Sequence, residues 1–196
     1  MAERKAQVTR TTKETDILIE LNLDGSGKCT ADTGVGFFDH MLEGFAKHGL
    51  FDLSIKVKGD LNVDDHHTIE DTGIALGEAI LKAVGDKKGI KRYGSCILPM
   101  DETLVLCAID LSGRPYYSSD LSFTFYKMGD MNTNMVKEFF YAISYTGMMN
   151  LHFKQLSGDN DHHIAEASFK AFAKALDMAT TIDPRITDVL STKGTI

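Results

Sequence analysis

Two short stretches, DDHHTIED at residues 64–71 and NDHHIAEA at 160–167, each set a pair of adjacent histidines ahead of a glutamate. Together they use four of the seven histidines in the chain. Imidazole nitrogens and carboxylate oxygens, with no thiolate among them, are the donors that suit manganese, iron or zinc. If each stretch opens a helix, His66 and Glu70 stand four residues apart on one face, and so do His162 and Glu166. His67 and His163 are then turned about 100° away. One motif cannot easily close both of its histidines on one ion, whereas two copies held face to face could bind two ions and give ligands to both. A lone helical histidine is more often solvated surface or satisfied core; repetition of the whole pattern argues for metal.

The elements that must position these residues also repeat. ETDILIELNLDG (14–25) lies against ETLVLCAIDLSG (102–113) at an offset of 88, and both read as strands of alternating apolar residues that end in a glycine turn. HMLEGFAKHGLFDLSIK (40–56) lies against EFFYAISYTGMMNLHFK (138–154) at an offset of 98, each an amphipathic helix closed by a glycine, Gly49 or Gly147, before a short strand. DHHTIEDTGIALGEAIL (65–81) matches DHHIAEASFKAFAKALD (161–177) at an offset of 96, with apolar residues at helical spacing in both. Small insertions in loops account for the changing offset at little thermodynamic cost. Each half is strands, helix, strand, helix. The expected fold class is α+β, internally duplicated into two βαβα-type halves, 1–92 and 93–196, with a sheet packed on helices in each.

The alignment adds His40, at the start of the first helix, and its counterpart Glu138 at the start of the second. The candidate metal set becomes His40, His66, His67, Glu70, Glu138, His162, His163 and Glu166. Eight nitrogen and carboxylate donors suit two octahedral sites with positions open to substrate. His48, on the helix of His40, is read as facing the substrate with a catalytic part. His152 aligns with Ser54 and is read as structural.

Composition bounds the rest. The chain has 196 residues, a formal charge of −7 and a pI near 5.4, which argues against a broad nucleic-acid surface. Cys29, Cys96 and Cys107 form no CxxC pair, as expected of small hydrophobes in a reducing compartment. The N-terminal MAERKAQVTRTTKETD is too polar for a signal peptide, and no apolar run approaches a membrane span. A cytoplasmic protein with neither membrane nor nucleic acid as partner is expected.

GVGFFDHMLEGFAKHGLFDL (34–53), KGDLNVDDHHTIEDTGIALGEAI (58–80), LPMDE (98–102), DLSGRPY (110–116), NDHHIAEASFKAFAKAL (160–176) and STKG (191–194) together closely resemble the imidazoleglycerol-phosphate dehydratases. The resemblance covers nearly the whole chain. It implies a duplicated fold related to the second domain of ribosomal protein S5, and dehydration of imidazole glycerol phosphate to imidazole acetol phosphate in histidine biosynthesis. It also implies two Mn²⁺ ions per active site, which hold the ring as imidazolate while the hydroxyl leaves to give a diazafulvene. Trimers assembled into a twenty-four-subunit particle, with active sites between subunits, are implied as well. By the same resemblance Glu14 is the acid/base group, and Arg92, Arg114, Lys170, Ser191 and Lys193 bind the phosphate, the last two from a C-terminal substrate-binding tail.

The chain departs from the family at one position. Where the family commonly has histidine in an EHFF context, this chain has KEFF, with Glu138 in the ligand place. A carboxylate there is expected to favour harder, oxygen-loving ions. A binuclear metallophosphoesterase, in one family of which DHH also occurs, would want an upstream DxD-like strand end that the first ninety residues lack. A catalytically silent metal scaffold would leave Glu14 and the phosphate set without a use.

Overall fold

The structure, a computed structural model, describes residues 3–196. The first half runs β1 (Lys5–Thr11), β2 (Thr15–Asn22), β3 (Cys29–Asp32), α1 (Gly36–Gly49), β4 (Asp52–Gly59) and α2 (His66–Val84). The second runs β5 (Tyr93–Met100), β6 (Thr103–Asp110), β7 (Tyr116–Ser119), a hairpin of β8 (Lys127–Met128) and β9 (Met131–Asn132), α3 (Asn134–Thr146), β10 (Asn150–Ser157) and α4 (Asp161–Thr180). This is an α+β architecture of two sheet-plus-helix halves.

Alternation builds the sheets. Ile17, Ile19 and Leu21 of β2 are buried while Asp16, Leu18 and Glu20 face out. In β6, Val105, Cys107 and Ile109 take the buried places, so Cys107 serves as a small core hydrophobe. Strand orders correspond, β1-β2-β4-β3 and β5-β6-β10-β7. The last pair of each sheet is parallel, β3 with β4 and β7 with β10, so each needs a crossover, which α1 and α3 provide.

The helices lie between the two sheets, and the halves exchange partners there. α2 rests on β1, β2 and β4, and α4 on β5 and β6, while α1 packs against α4 and α2 against α3. Buried phenylalanines join the halves: Phe38 meets Phe139 edge-on with centroids 5.1 Å apart, and Phe45 stacks on Phe172 at 5.5 Å. Gly73 and Gly77 let α2 come close to α3. A Cβ at Gly77 would stand 2.1 Å from Thr146 Oγ1 and 2.9 Å from Ile143 O.

A glycine closes α1 and α3 as expected from the sequence, and two features go beyond that expectation. Gly49 and Gly147 do not end their helices by turning left-handed; the next residues, Leu50 and Met148, do so, at φ 59° and 51°. The glycines are there for space: a Cβ on Gly49 would stand 2.2 Å from the Phe51 ring, and one on Gly147 would stand 2.6 Å from Met149 Cε. The second feature is the β8–β9 hairpin. It falls where the alignment offset steps from 88 to 98, between β7 and α3, and the described residues of the first half have nothing like it. Among the described residues no helix is long and apolar enough to cross a membrane.

Candidate active site

The helix starts carry the donors. Asp64 Oδ1 accepts from His66 N at 2.9 Å, and Asn160 Oδ1 accepts from His162 N at 3.0 Å, so the first polar residue of each motif ties down the opening turn of its helix. The i,i+4 spacing then brings His66 Nε2 to 3.5 Å from Glu70, and His162 Nε2 to 3.1 Å from Glu166.

His40 of α1 joins the second pair. Its Nε2 lies 3.8 Å from Glu166 Oε2, and ligand atoms of His40, His162 and Glu166 all fall within 4.8 Å of one another. Donors on one ion at bond lengths of about 2.1 Å stand roughly 3–4 Å apart, so small side-chain rotations close this group. Two imidazoles and a carboxylate fit Mn²⁺, Fe²⁺ or Zn²⁺. Lys170 Nζ bonds the other oxygen of Glu166 at 2.6 Å and leaves Oε2 turned to the histidines. Partial burial works to raise the Glu166 carboxyl, but Lys170 and then His162 more than offset it and hold it below the usual range.

His67 and His163 face elsewhere. His67 Nδ1 is held by Asp60 Oδ2 at 3.0 Å, with Glu14 Oε1 3.8 Å from its Nε2. The Asp60 hydrogen bond, helped by the charge of Glu14, raises the His67 imidazole above its ordinary value against a desolvation cost. His163 Nδ1 is held by Glu102 at 2.9 Å, with Asp101 Oδ2 3.9 Å from its Nε2. That hydrogen bond draws the Glu102 carboxyl down to about 2.

The aspartate directly before each histidine pair has a use that the sequence reading left unassigned. Asp65 and Asp161 are buried, and both hold the segment around the β8–β9 hairpin. Asp65 Oδ2 accepts from Asn132 N at 2.6 Å, and Asp161 Oδ2 accepts from Phe125 N at 2.7 Å. Asp130, in the hairpin turn, accepts from Gly36 N at 2.6 Å and Phe37 N at 3.0 Å, at the start of α1. One segment thereby braces the histidine-bearing ends of α1, α2 and α4. The signal was present in the sequence: Asp65 and Asp161 align at the same offset as the histidines.

Arg92, Arg114, Ser191 and Lys193 line a separate cavity of about 630 Å³, and none of the histidines lines it. Arg92 is committed within it. Its Nε and Nη2 bond Asp110 at 2.7 and 3.0 Å, and its Nη1 bonds Leu190 O at 2.8 Å, which clamps the C-terminal segment to β6. Lys170 is not with this group but on Glu166. Among the described residues no third His, Cys, Asp or Glu joins His66 and Glu70, and Glu138, half-buried on α3 near Tyr117 and Tyr141, joins no donor group. His48 is kept below its ordinary value by burial first and by Lys170 and Lys174 next. His152 lies on β10 against the Tyr116 ring, centroids 5.4 Å apart.

Residues 33–176 match the imidazoleglycerol-phosphate dehydratase family along most of the chain. The chain belongs to the imidazoleglycerol-phosphate dehydratase family. It is 67% identical to the imidazoleglycerol-phosphate dehydratase of Lachnoclostridium phytofermentans, over 98% of each chain, and 59% identical to that of Acetivibrio thermocellus, again over 98% of each. Among solved structures, the imidazoleglycerol-phosphate dehydratase of Staphylococcus aureus superposes with a TM-score of 0.83 at 40% identity, covering 91% of this chain and 99% of the other. The Pyrococcus furiosus enzyme in complex with (S)-C348 gives 0.84 at 39% identity, covering 96% and 100%.

Membership makes the chain an enzyme of the hydro-lyase class, an imidazoleglycerol-phosphate dehydratase of histidine biosynthesis. The substrate of such a dehydratase carries an imidazole ring and a phosphate on one short backbone. A single chain holds its best donor group and its cationic cavity in different places.

Proposed function

We propose that this imidazoleglycerol-phosphate dehydratase converts its substrate to imidazole acetol phosphate and water in the cytoplasm on two divalent cations of the Mn²⁺ type. The reading is carried by the meeting of His40, His162 and Glu166, from two helices, with donor atoms within 4.8 Å of one another. His66 with Glu70, and the outward nitrogens of His67 and His163, are the remaining donors, together with Glu138 from α3. Bound cations would stabilise negative charge that builds on the imidazole ring as the hydroxyl departs.

The residues of the chain divide the other tasks. Glu14, whose carboxylate accepts no hydrogen bond among the described residues, carries the proton to and from carbon. Arg114, Ser191 and Lys193 hold the phosphate, and Arg92 keeps their segment in place. His48, held below its ordinary value by burial and by Lys170 and Lys174, faces the substrate. The cationic cavity has no histidine in its wall, and in this reading the substrate reaches from it to the donors of another copy. Self-assembly of trimers into a twenty-four-subunit particle meets that need.

The test is direct. Protein loaded with Mn²⁺ and incubated with imidazole glycerol phosphate should yield imidazole acetol phosphate without free phosphate. Chelation should stop the reaction and added Mn²⁺ should restore it. Release of inorganic phosphate, or full activity after exhaustive chelation, would overturn the proposal. Light scattering should give a mass far above the 21.6 kDa of one chain.

A further inference from the structure

Glu14 and Glu102 align with each other in the two halves, each in the turn between the first two strands, yet their carboxylates are used differently. Glu102 holds His163 Nδ1 at 2.9 Å and also accepts from Thr103 Oγ1 at 2.9 Å. Glu14 accepts no hydrogen bond among the described residues and stands 3.8 Å from the other nitrogen of His67. In the first half the Nδ1 place is taken by Asp60, just after β4, at 3.0 Å.

The second half uses a different device. A bulge between Gln155 and Ser157 adds one residue to β10, so Ser157 pairs with Leu104 as Lys58 pairs with Asp16, and Asp60 corresponds to Asp159. Asp159 holds no histidine among the described residues, and the glutamate of the neighbouring turn holds His163 instead. A histidine whose Nδ1–H is held by a carboxylate has its ring direction fixed and presents Nε2, the more basic for it, to an ion.

We propose that Asp60 and Glu102 are positioning residues that aim Nε2 of His67 and His163, and that Asp60, by taking this task in the first half, leaves Glu14 free to move protons. The two halves have thus divided one ancestral pair of glutamates into a proton carrier and a ring holder. This rests on the metal-centre reading above.

The experiment titrates Mn²⁺ into metal-stripped, full-length protein and its variants by calorimetry, with thermal unfolding followed in parallel. Asp60→Ala and Glu102→Ala should each weaken Mn²⁺ binding about 10–100-fold, with little change in the unfolding temperature. Glu14→Ala should stay within about threefold of the parent. Asp60→Asn and Glu102→Gln, whose side-chain carbonyls still accept a hydrogen bond, should recover part of the loss. Parent-like Mn²⁺ binding by Asp60→Ala or Glu102→Ala, or an equal loss for Glu14→Ala and Glu102→Ala, overturns the proposal alone. Failure of the parent protein to bind Mn²⁺ overturns the metal-centre reading and this inference with it.

Discussion

Gly77→Ala is expected to loosen the contact that sets α2 against α3. The added methyl would stand 2.1 Å from Thr146 Oγ1, and 2.9 Å from both Ile143 O and Gly147 N. Thr146 can rotate away only by giving up hydrogen bonds to Ile74 O and Ala142 O, at 3.0 and 2.8 Å. The other two contacts are backbone, so the helices must separate. Overpacking costs about 1–3 kcal/mol, and loss of one net hydrogen bond adds about 1 kcal/mol. Replacing a helical glycine by alanine returns about 1 kcal/mol. The balance is a loss of roughly 1–3 kcal/mol, or about 2–12 °C in Tm for a chain of this size. Gly44→Ala is the control: it is also helical, in α1, but a Cβ there meets nothing within 4 Å. It should gain up to about 1 kcal/mol. Both are measured by urea and thermal unfolding at one fixed protein concentration, since any self-association would make stability concentration-dependent. A Gly77→Ala protein as stable as Gly44→Ala would refute the reasoning.

Arg92→Ala removes the clamp on Leu190 O and leaves Asp110 without its partner; it should cost about 2 kcal/mol and expose residues 189–194 to limited proteolysis, while Mn²⁺ content stays at the parent level. Glu14→Gln should abolish turnover, read as ketone formation, and leave Mn²⁺ content intact; loss of the metal would remove its assigned role. The three free thiols should react slowly with a disulfide reagent until the protein is unfolded. Burial pushes Cys29 up to about 11, so only about a thousandth is thiolate at pH 8, and burial also raises Cys96 and Cys107; one fast thiol in the native protein would contradict this. Asp52 accepts from Ser26 N and Lys28 N at 2.8 and 3.1 Å, which lowers its carboxyl below the ordinary 3.8. The stability this contributes is complete above the ordinary value and fades as pH falls through the lowered one. Asp52→Asn should therefore flatten that part of the acid unfolding curve and leave the neutral-pH slope unchanged.

Period and repetition made much of this legible from sequence. The alternation in β2 and β6, and the i,i+4 spacing of His66 with Glu70 and His162 with Glu166, are local properties, and the backbone obeys them. Glycine closes α1 and α3 as the sequence indicates, but it answers a steric demand from Phe51 and Met149, not a dihedral one, and that demand is set by tertiary packing. Asp60, Asp65 and Asp161 were missed as agents because their partners are set by tertiary structure: Asp65 and Asn132 are 67 residues apart. Arg92 reads from sequence as one more cation for phosphate, and only its pairing with Asp110 and Leu190 O reveals a clamp.

That span of 67 residues between Asp65 and Asn132 also has a meaning in time. On the ribosome the chain grows at about 5–20 residues per second, so roughly 3–13 s pass between synthesis of the first DHH motif and arrival of the residue that holds it. Through that interval Phe38 and Phe45 of α1 also lack Phe139 and Phe172, the rings they will meet. The first half is therefore born with an open apolar flank and with the start of α2 unbraced by Asn132. It depends on the second half being made promptly, and the group of His40, His162 and Glu166 can form only after α4 has been made.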